Sequence, residues 1–179
     1  MFTSQLPRGY SLAQFKSQDR NALVAHLNDR ELYERTLRIP FPYTAAAADE
    51  WLAIASRNDP SSINWAIRNE HDELIGGVGL DRPSSQYFSH RAELGYWLAR
   101  PYWNQGIMSS VVPVVCQFAF ETLAIAKVTA HVFAFNVASA RVLEKGGFEL
   151  EGTLKQHYHK DGQLIDSKVY GRCSDSLAR

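Results

Sequence analysis

The spacing of apolar residues changes several times along the chain, and each change predicts a change of secondary structure. Alternating apolar and polar residues predict a strand with one buried face, whereas apolar residues every three or four positions predict a helix. Strand character is found, in this order, at 9–15, 63–68, 74–80, 91–98, 128–135, 148–159 and 164–172. Helical character is found at 17–27, between Thr44 and Asn58, after Pro101 with Val111 to Leu123 as its apolar residues, and at 137–145.

The resulting order is β-α-α-β-β-β-α-β-α-β-β. This order predicts an α/β fold with a mixed sheet of about seven strands and about four helices on its faces.

Local signals mark where several of these elements begin and end. Thr44 and Asn136 each precede a helical segment and can accept a backbone N–H, so both are predicted N-caps, and Asp19 is the predicted cap of the first helix. Gly146-Gly147 ends the last helix as a glycine C-cap. Asp161-Gly162 is the strongest turn signal in the chain and predicts a hairpin of the last two strands.

Length, charge and cysteine content exclude several classes of protein. The 179 residues carry 19 Lys+Arg and 19 Asp+Glu, so the formal net charge is zero. We expect one domain over residues 1–179 and no basic face for nucleic acid. The aliphatic run at 111–116 is too short to cross a membrane, the N-terminus has no apolar secretory core, and two cysteines make no disulfide framework. These features predict a cytoplasmic protein that does not bind a membrane.

Two strand-to-helix junctions contain the candidate chemistry. In the first, at 96–110, Pro101 forces a turn and Gly106 lies just before a helix, where backbone N–H groups and the helix dipole favour an anion such as phosphate. In the second, Ser139 lies one turn after Asn136 on the same helix face. Each junction also has a purely structural interpretation. The first can be an ordinary strand-to-helix turn, and the second can be simple helix capping next to an exposed serine.

Taken together, the segments resemble the GNAT superfamily of N-acetyltransferases, and the order of elements matches over the whole chain. The resemblance is strongest to the branch that contains the bacterial ribosomal-protein N-terminal acetyltransferases. Four passages carry it: 38–44 (RIPFPYT) through Trp51-Leu52, 92–98 (AELGYWL), 102–106 (YWNQG) and 136–148 (NVASARVLEKGGF), the last followed by Glu151-Gly152. The fold implied is a mostly antiparallel sheet with a splayed central gap.

The resemblance implies acetyl-coenzyme A as cosubstrate, held in a gap between the strand that ends at Leu98 and the strand that ends at Phe135. Backbone amides of 105–110 would hold the pyrophosphate, and Asn136 would bind the pantetheine or an ordered water. Arg141 either faces the coenzyme phosphates or is a solvated helix residue. The implied coenzyme contacts are Leu98, Ala99, Arg100, Asn104, Gln105, Gly106, Ile107, Met108, Ser109, Ser110, Asn136, Ser139 and Arg141.

The sequence also departs from the family pattern. Met108 stands where a second glycine or an alanine is usual, and Asn104 replaces a frequent glycine. Pro113 is harmless only if it lies within the first turn of its helix. A tyrosine that many members use as general acid is replaced by Leu143. These departures keep a catalytically inactive coenzyme-binding module open as an alternative.

Direct attack of an amine on the thioester is the simplest mechanism, because Cys116 lies inside a helix with no sign of activation. Glu93 lies on the strand face opposite Leu94 and is the candidate general base, acting through water. The alternative is a carboxylate that pairs with Arg91 or Arg100 at the sheet surface. Ser139 is the candidate donor to the leaving sulfur or, alternatively, a capping residue. A backbone N–H near Leu98 or Ala99 would contact the oxyanion.

The acceptor is an amine, and a protein or peptide N-terminal α-amine is preferred. An α-amine with a pKa near 8 is about a tenth neutral at pH 7, whereas a lysine is less than a thousandth neutral. A small-molecule amine (a polyamine, an amino acid or an antibiotic) is the alternative. The candidate acceptor-binding residues are Phe41, Tyr43, Glu93, Trp97 and Tyr158. The aromatic ones are alternatively core or exposed strand residues.

The strand segment His157-Tyr158-His159 places both histidines on one face if the alternation is regular. A metal site there would need a third ligand that the sequence does not supply, so we expect no metal. The resemblance makes a homodimer plausible.

Overall fold

The computed structural model describes residues 4–57 and 59–175. Its strands are β1 Ser4–Gln5, β2 Ser11–Ala13, β3 Ser62–Arg68, β4 Leu74–Asp81, β5 Arg91–Leu98, β6 Lys127–Phe133, β7 Glu149–Lys160 and β8 Gln163–Cys173. Its α-helices are α1 Arg20–Leu27, α2 Arg30–Glu34, α3 Ala45–Ala55, α4 Ile107–Glu121 and α5 Val137–Lys145. No helix within the described ranges is long and apolar enough to cross a membrane.

The eight strands form one sheet with the order β1-β2-β3-β4-β5-β6-β8-β7. β5 pairs with β6 in parallel, whereas β1–β2, β2–β3, β6–β8 and β7–β8 are antiparallel. The predicted mixed, mostly antiparallel α/β fold is therefore confirmed, with eight strands instead of about seven. The additional strand is the two-residue β1, which is too short to produce an alternating pattern.

The chain forms two compact units. The N-terminal unit comprises the described residues up to Gly79 together with Tyr96–Ile107, and the C-terminal unit comprises Leu80–Gly95 together with the described residues from Met108 onwards. The extent of the domain, 1–179, stays a prediction.

The N-terminal unit has a core built from α1, α2, α3 and the strands beside them. Its buried residues are Phe15, Leu23, Leu27, Leu32, Tyr43, Ala48, Ala66 and Leu74. Trp51 packs edge-on against Phe15, with ring centroids 5.9 Å apart. Ile54 of the same helix is 46% exposed. It lies six positions after Ala48, which on a helix is far from the face shared by positions three, four and seven residues apart.

A buried ion pair ties the start of α1 to β3. Both oxygens of Asp19 accept hydrogen bonds from Arg68, at 3.0 and 2.7 Å. Asp19 also accepts the backbone N–H of Lys16 at 2.7 Å. Asp19 was predicted to cap α1, but its carboxylate instead closes the 3₁₀ turn Ser17–Asp19 that precedes α1.

Helix α2 was missed by the sequence analysis because its five residues are too few to show an apolar period. Its N-cap is Asp29, which accepts the N–H of Leu32 at 3.0 Å. The predicted N-cap Thr44 is confirmed, since it accepts the N–H of Ala47 at 3.1 Å.

In the C-terminal unit, β6 pairs with β5 over Arg91–Glu93 and with β8 along its whole length. Helix α4 buries Val111, Val112, Val115 and Cys116. The predicted hairpin is confirmed: β7 and β8 meet at Asp161 and Gly162, whose φ angles of 50° and 77° match the primed turn that an Asp-Gly pair favours.

Candidate active site

The turn that follows β5 lies in the N-terminal unit and needs two left-handed residues. Asn104 has φ 60° and Gly106 has φ 77°. Asparagine is one of the few residues that adopt this conformation readily, which explains how it replaces the usual glycine. A Cβ added to Gly106 would meet no atom within 4 Å. The space beside Gly106 is therefore open to a ligand, while its backbone angle favours glycine.

Side chains and backbone groups hold this turn in place. The Trp103 indole N–H donates to the Leu98 carbonyl at 2.6 Å, and the Gln105 amide donates to the Pro101 carbonyl at 2.8 Å. The N–H of Ala99 donates to the Ile75 carbonyl at 2.8 Å. Ala99 therefore cannot supply the oxyanion donor that the sequence assigned to the N–H groups near Leu98 or Ala99.

Arg100, a predicted coenzyme contact, is engaged within the N-terminal unit. Its Nε lies 2.7 Å from Asp29 Oδ2, and its Nη1 lies 3.6 Å from Glu31 Oε2. Because Arg100 is held by two carboxylates of the α2 region, the alternative in which it pairs with Glu93 finds no support.

Helix α4 begins directly after the turn, at Ile107. Ile107 and Met108 are buried, whereas Ser109 and Ser110 are half-buried. The bulk of Met108 is thus accommodated in the interior. Pro113 lies six residues into the helix, beyond its first turn, so the Ser109 carbonyl loses the N–H donor that would normally follow four residues later.

Glu93 lies in the C-terminal unit and lines a cleft of about 120 Å³. Its neighbours on β5, Ala92 and Leu94, are buried, and Glu93 is half-buried on the other face, as the alternation predicts. The cleft is lined by Pro83, Arg91, Ala92, Glu93, Lys127, Thr129, His131, Glu151 and Val169. Within the described ranges, the Glu93 carboxylate has no ion pair or hydrogen bond of its own.

The other charged residues of the cleft are engaged nearby. The Lys127 ammonium lies 2.6 Å from Glu151 Oε1, and both side chains are partly exposed. The Arg91 guanidinium carbon lies 4.2 Å from the centroid of the Phe88 ring. The sequence analysis did not single out Lys127 or identify Glu151 as its partner, because their encounter depends on the pairing of β6, β8 and β7.

One wall of the cleft continues into a cluster of rings. His131 stacks on His157 with centroids 5.8 Å apart, and Tyr158 lies 6.5 Å from His131 and 5.7 Å from Phe133. The predicted alternation, with the histidines on one face and Tyr158 on the other, is interrupted by a bulge between Leu154 and Tyr158. As a result, His157 and Tyr158 both approach His131. No three His, Cys, Asp or Glu residues in the described part of the chain could hold a metal ion.

At the start of α5, the predicted N-cap is confirmed. Asn136 is 9% exposed, and its side-chain oxygen accepts the backbone N–H of Ser139 at 3.2 Å. The Ser139 side chain itself is half-buried, Arg141 is exposed and Leu143 is fully buried. The cap therefore uses the backbone of Ser139, and its hydroxyl is a separate group.

The remaining predicted acceptor residues have different environments. Phe41 is 39% exposed, with the Tyr33 ring 5.3 Å away. Tyr43 is buried in the N-terminal core, where desolvation raises the pKa of its hydroxyl to about 12. Trp97 packs partly buried against the same core. The contacts of Tyr43 and Trp97 match the core alternative that the sequence left open.

Comparison with known proteins identifies the family to which the fold and the site correspond. The model of the acetyltransferase (GNAT) domain matches residues 11–149. The chain is 37% identical over 109 residues to the uncharacterized N-acetyltransferase YoaA of Bacillus subtilis (strain 168), and this match spans 60% of each chain.

Two solved structures show the same fold. The ribosomal-protein-S5-alanine acetyltransferase from Vibrio fischeri superposes with a TM-score of 0.86 at 20% identity, over 100% of both chains. The spermidine N-acetyltransferase from Vibrio cholerae, in complex with CoA and spermine, superposes with a TM-score of 0.78 at 20% identity, over 92% of this chain and 95% of that one. With the matched domain covering most of its length, the chain belongs to the GNAT acetyltransferase family.

Proposed function

We propose that the chain transfers an acetyl group from acetyl-coenzyme A to an N-terminal α-amine of a protein or peptide, by direct attack of the amine. The observation that carries this proposal is the Glu93 carboxylate, which lines a cleft and lacks an ion-pair partner among the described residues. At neutral pH an amine acceptor is largely an ammonium ion. A carboxylate without an ion-pair partner can bind this cation and then accept its proton.

The residues of the turn before α4 fit the coenzyme. Gly106 has open space where a side chain would stand, and the adjacent start of a fifteen-residue helix favours a phosphate group. Bound coenzyme would supply an activated acetyl thioester. We assign it to the residues that the resemblance indicates: 98–100, 104–110, Asn136, Ser139 and Arg141. Its position in a gap of the sheet stays a prediction.

The proton of the amine goes to Glu93, directly or through a water molecule, in this proposal. The Ser139 hydroxyl donates toward the leaving sulfur. Cys116 is unsuited to a covalent route, because it is fully buried and desolvation raises the pKa of its thiol to about 11. Direct attack by the amine therefore remains the simplest mechanism.

The charges of the cleft favour a monoamine over a polyamine. Arg91 and Lys127 line it together with Glu93 and Glu151, so the cleft holds two basic and two acidic side chains. A second ammonium of a polyamine would find no net acidic surface in this cleft, since Lys127 already pairs with Glu151 and the Arg91 guanidinium repels it. The likeness to the spermidine enzyme lies below 25% identity and supports the fold alone.

The experiment measures release of coenzyme A thiol from acetyl-coenzyme A with N-terminal peptides, spermidine, free amino acids and an aminoglycoside. Cys173 is exposed, so the assay uses a Cys173→Ser background to remove its reaction with thiol reagents. Turnover with peptides above the other amines supports the proposal. Preferred turnover of a small amine would show that this amine, and not a protein N-terminus, is the acceptor. Coenzyme binding without any turnover would indicate an inactive module.

The Glu93 role has its own test. Glu93→Gln should lower kcat at pH 7 by about 10²-fold, the usual contribution of a general base, and part of the rate should return at high pH as the amine loses its proton unaided. The matched control is Glu149→Gln, an exposed carboxylate on β7. Equal rate–pH profiles of the two variants would remove Glu93 from the mechanism.

Ser139→Ala keeps the helix cap, because the cap uses the backbone N–H of this residue. We expect the substitution to lower kcat more than it weakens coenzyme binding. A loss confined to coenzyme affinity would instead assign Ser139 to binding.

We also propose a cytoplasmic homodimer, on the basis of the sequence and of the family resemblance. Sedimentation of the purified protein tests whether it is a dimer.

A further inference from the structure

We propose that the acceptor carries an anionic group close to its amine, and that Arg91 binds this anion while Glu93 receives the amine. This inference rests on the proposed acetyltransferase function and specifies the acceptor. The chemistry required is an α-amine followed closely by a carboxylate, as in a peptide that begins with aspartate or in a free amino acid.

Two of the four charged side chains in the cleft neutralise each other. Lys127 and Glu151 form an ion pair of 2.6 Å. The position of Glu151 depends on Gly171, because a Cβ at Gly171 would overlap the Glu151 carboxylate. The glycine thus lets Glu151 lie across β8 and reach Lys127 on β6. Because Lys127 and Glu151 pair with each other in the cleft wall, Arg91 and Glu93 are the remaining opposite charges of the cleft.

An aromatic ring holds Arg91 in place. Its guanidinium lies over the Phe88 ring at 4.2 Å, and it has no ion pair within the described ranges. Stacking uses the face of a guanidinium and leaves the N–H groups at its edge available, and these groups bind carboxylates with two parallel hydrogen bonds. The aromatic contact therefore holds the cation without neutralising it.

Arg91 and Glu93 are close neighbours on one strand and line one cleft. Arg91 and Glu93 lie two residues apart on β5, so they share a face and their Cα atoms are about 7 Å apart. Both line the same cleft, next to Thr129 and His131 of β6. Two long side chains on one strand face can reach the two charges of a single small acceptor, a carboxylate and an ammonium close to each other, whereas a polyamine offers no anion to Arg91.

The experiment compares acceptors with and without the anion: Asp-Ala-Ala-amide with Asn-Ala-Ala-amide, and alanine with alaninamide. We expect kcat/KM to be at least tenfold higher for the anionic member of at least one pair. The peptide pair and the amino-acid pair distinguish the two sources of this chemistry. Arg91→Met should reduce the preference to below threefold, mainly through KM of the anionic acceptor, and Arg91→Lys should retain part of it.

The matched control is Lys145→Gln, which removes a positive charge at the exposed end of α5. It should leave the preference unchanged. Turnover of both members at equal efficiency, or a preference that persists in Arg91→Met, overturns this inference and leaves the acetyltransferase function standing. Absence of thiol release with every amine overturns both.

Discussion

The buried pair of Asp19 and Arg68 allows a sharp prediction about stability. Asp19→Ala removes a carboxylate that accepts two hydrogen bonds from Arg68 and one from the backbone N–H of Lys16. Both side chains are almost completely buried, at 4% exposure for Asp19 and 1% for Arg68. The substitution therefore removes the buried counter-ion of the Arg68 guanidinium and leaves only the longer ion pair, of 3.5 Å, with the exposed Asp72 carboxylate.

The expected cost follows from this burial. Removing one partner of a buried ion pair lowers the free energy of unfolding by about 3–5 kcal/mol. Arg68 still donates to the carbonyls of Gln14 and Asp72, at 3.0 Å each, so we expect the lower half of that range. With a urea m-value of about 2 kcal/mol/M, the unfolding midpoint should fall by about 1.5–2 M.

Equilibrium urea unfolding followed by tryptophan fluorescence measures this change. The matched control is Asp49→Ala, which breaks a pair with Arg20 of the same 2.7 Å length but with side chains 43% and 56% exposed. An exposed pair contributes at most about 1 kcal/mol. Adding Arg68→Met to Asp19→Ala should recover part of the loss, because the unpaired buried charge is then gone.

The reasoning fails if Asp19→Ala and Asp49→Ala lower the free energy of unfolding equally. It also fails if Arg68→Met lowers the stability of the Asp19→Ala variant further, since the cost would then come from lost packing and not from an uncompensated charge.

Three further predictions concern thiols, pH and capping. An aromatic disulfide reagent should titrate one thiol in the native protein, the exposed Cys173, and two after denaturation, since Cys116 is buried with its pKa raised to about 11; two fast native thiols would contradict this burial. Burial raises the pKa of Tyr43 to about 12, so the unfolded chain loses this proton first, near pH 10, and stability should fall by up to about 2–3 kcal/mol between pH 10 and 12. The fall should be smaller in Tyr43→Phe, and identical curves would refute the assignment. Asn136→Ala should cost about 1 kcal/mol by urea unfolding while Asn136→Asp costs less, because aspartate can also accept the Ser139 N–H; equal losses would exclude the cap as the cause.

The parts of the fold that were predictable carry local signals. The caps at Thr44 and Asn136 and the turn at Asp161-Gly162 depend on residues within four positions of one another. The five-residue α2 and two-residue β1 were missed because they are shorter than the periods by which helices and strands are recognised. The side of β5 on which Glu93 lies followed from alternation alone.

The partners of the site residues were not predictable in the same way. Arg100 could have paired with Glu93, but it contacts Asp29. The oxyanion donor assigned to Ala99 is occupied by Ile75, 24 residues earlier in the chain. The partner of each group depends on which elements are neighbours in the fold. Apolar spacing within one element carries no information about its neighbours.

The sequence by itself determined the order of the longer elements, the caps at Thr44 and Asn136, the turn at Asp161-Gly162, the family resemblance and the position of Glu93 on its strand. Only the tertiary structure decided which charges cancel. Lys127 meets Glu151 because β6, β8 and β7 are adjacent and Gly171 leaves room between them, and a bulge in β7 brings both His157 and Tyr158 to His131. The physical reason is that dihedral preferences act over a few residues, whereas the pairing of side chains depends on a register set by the packing of the whole sheet.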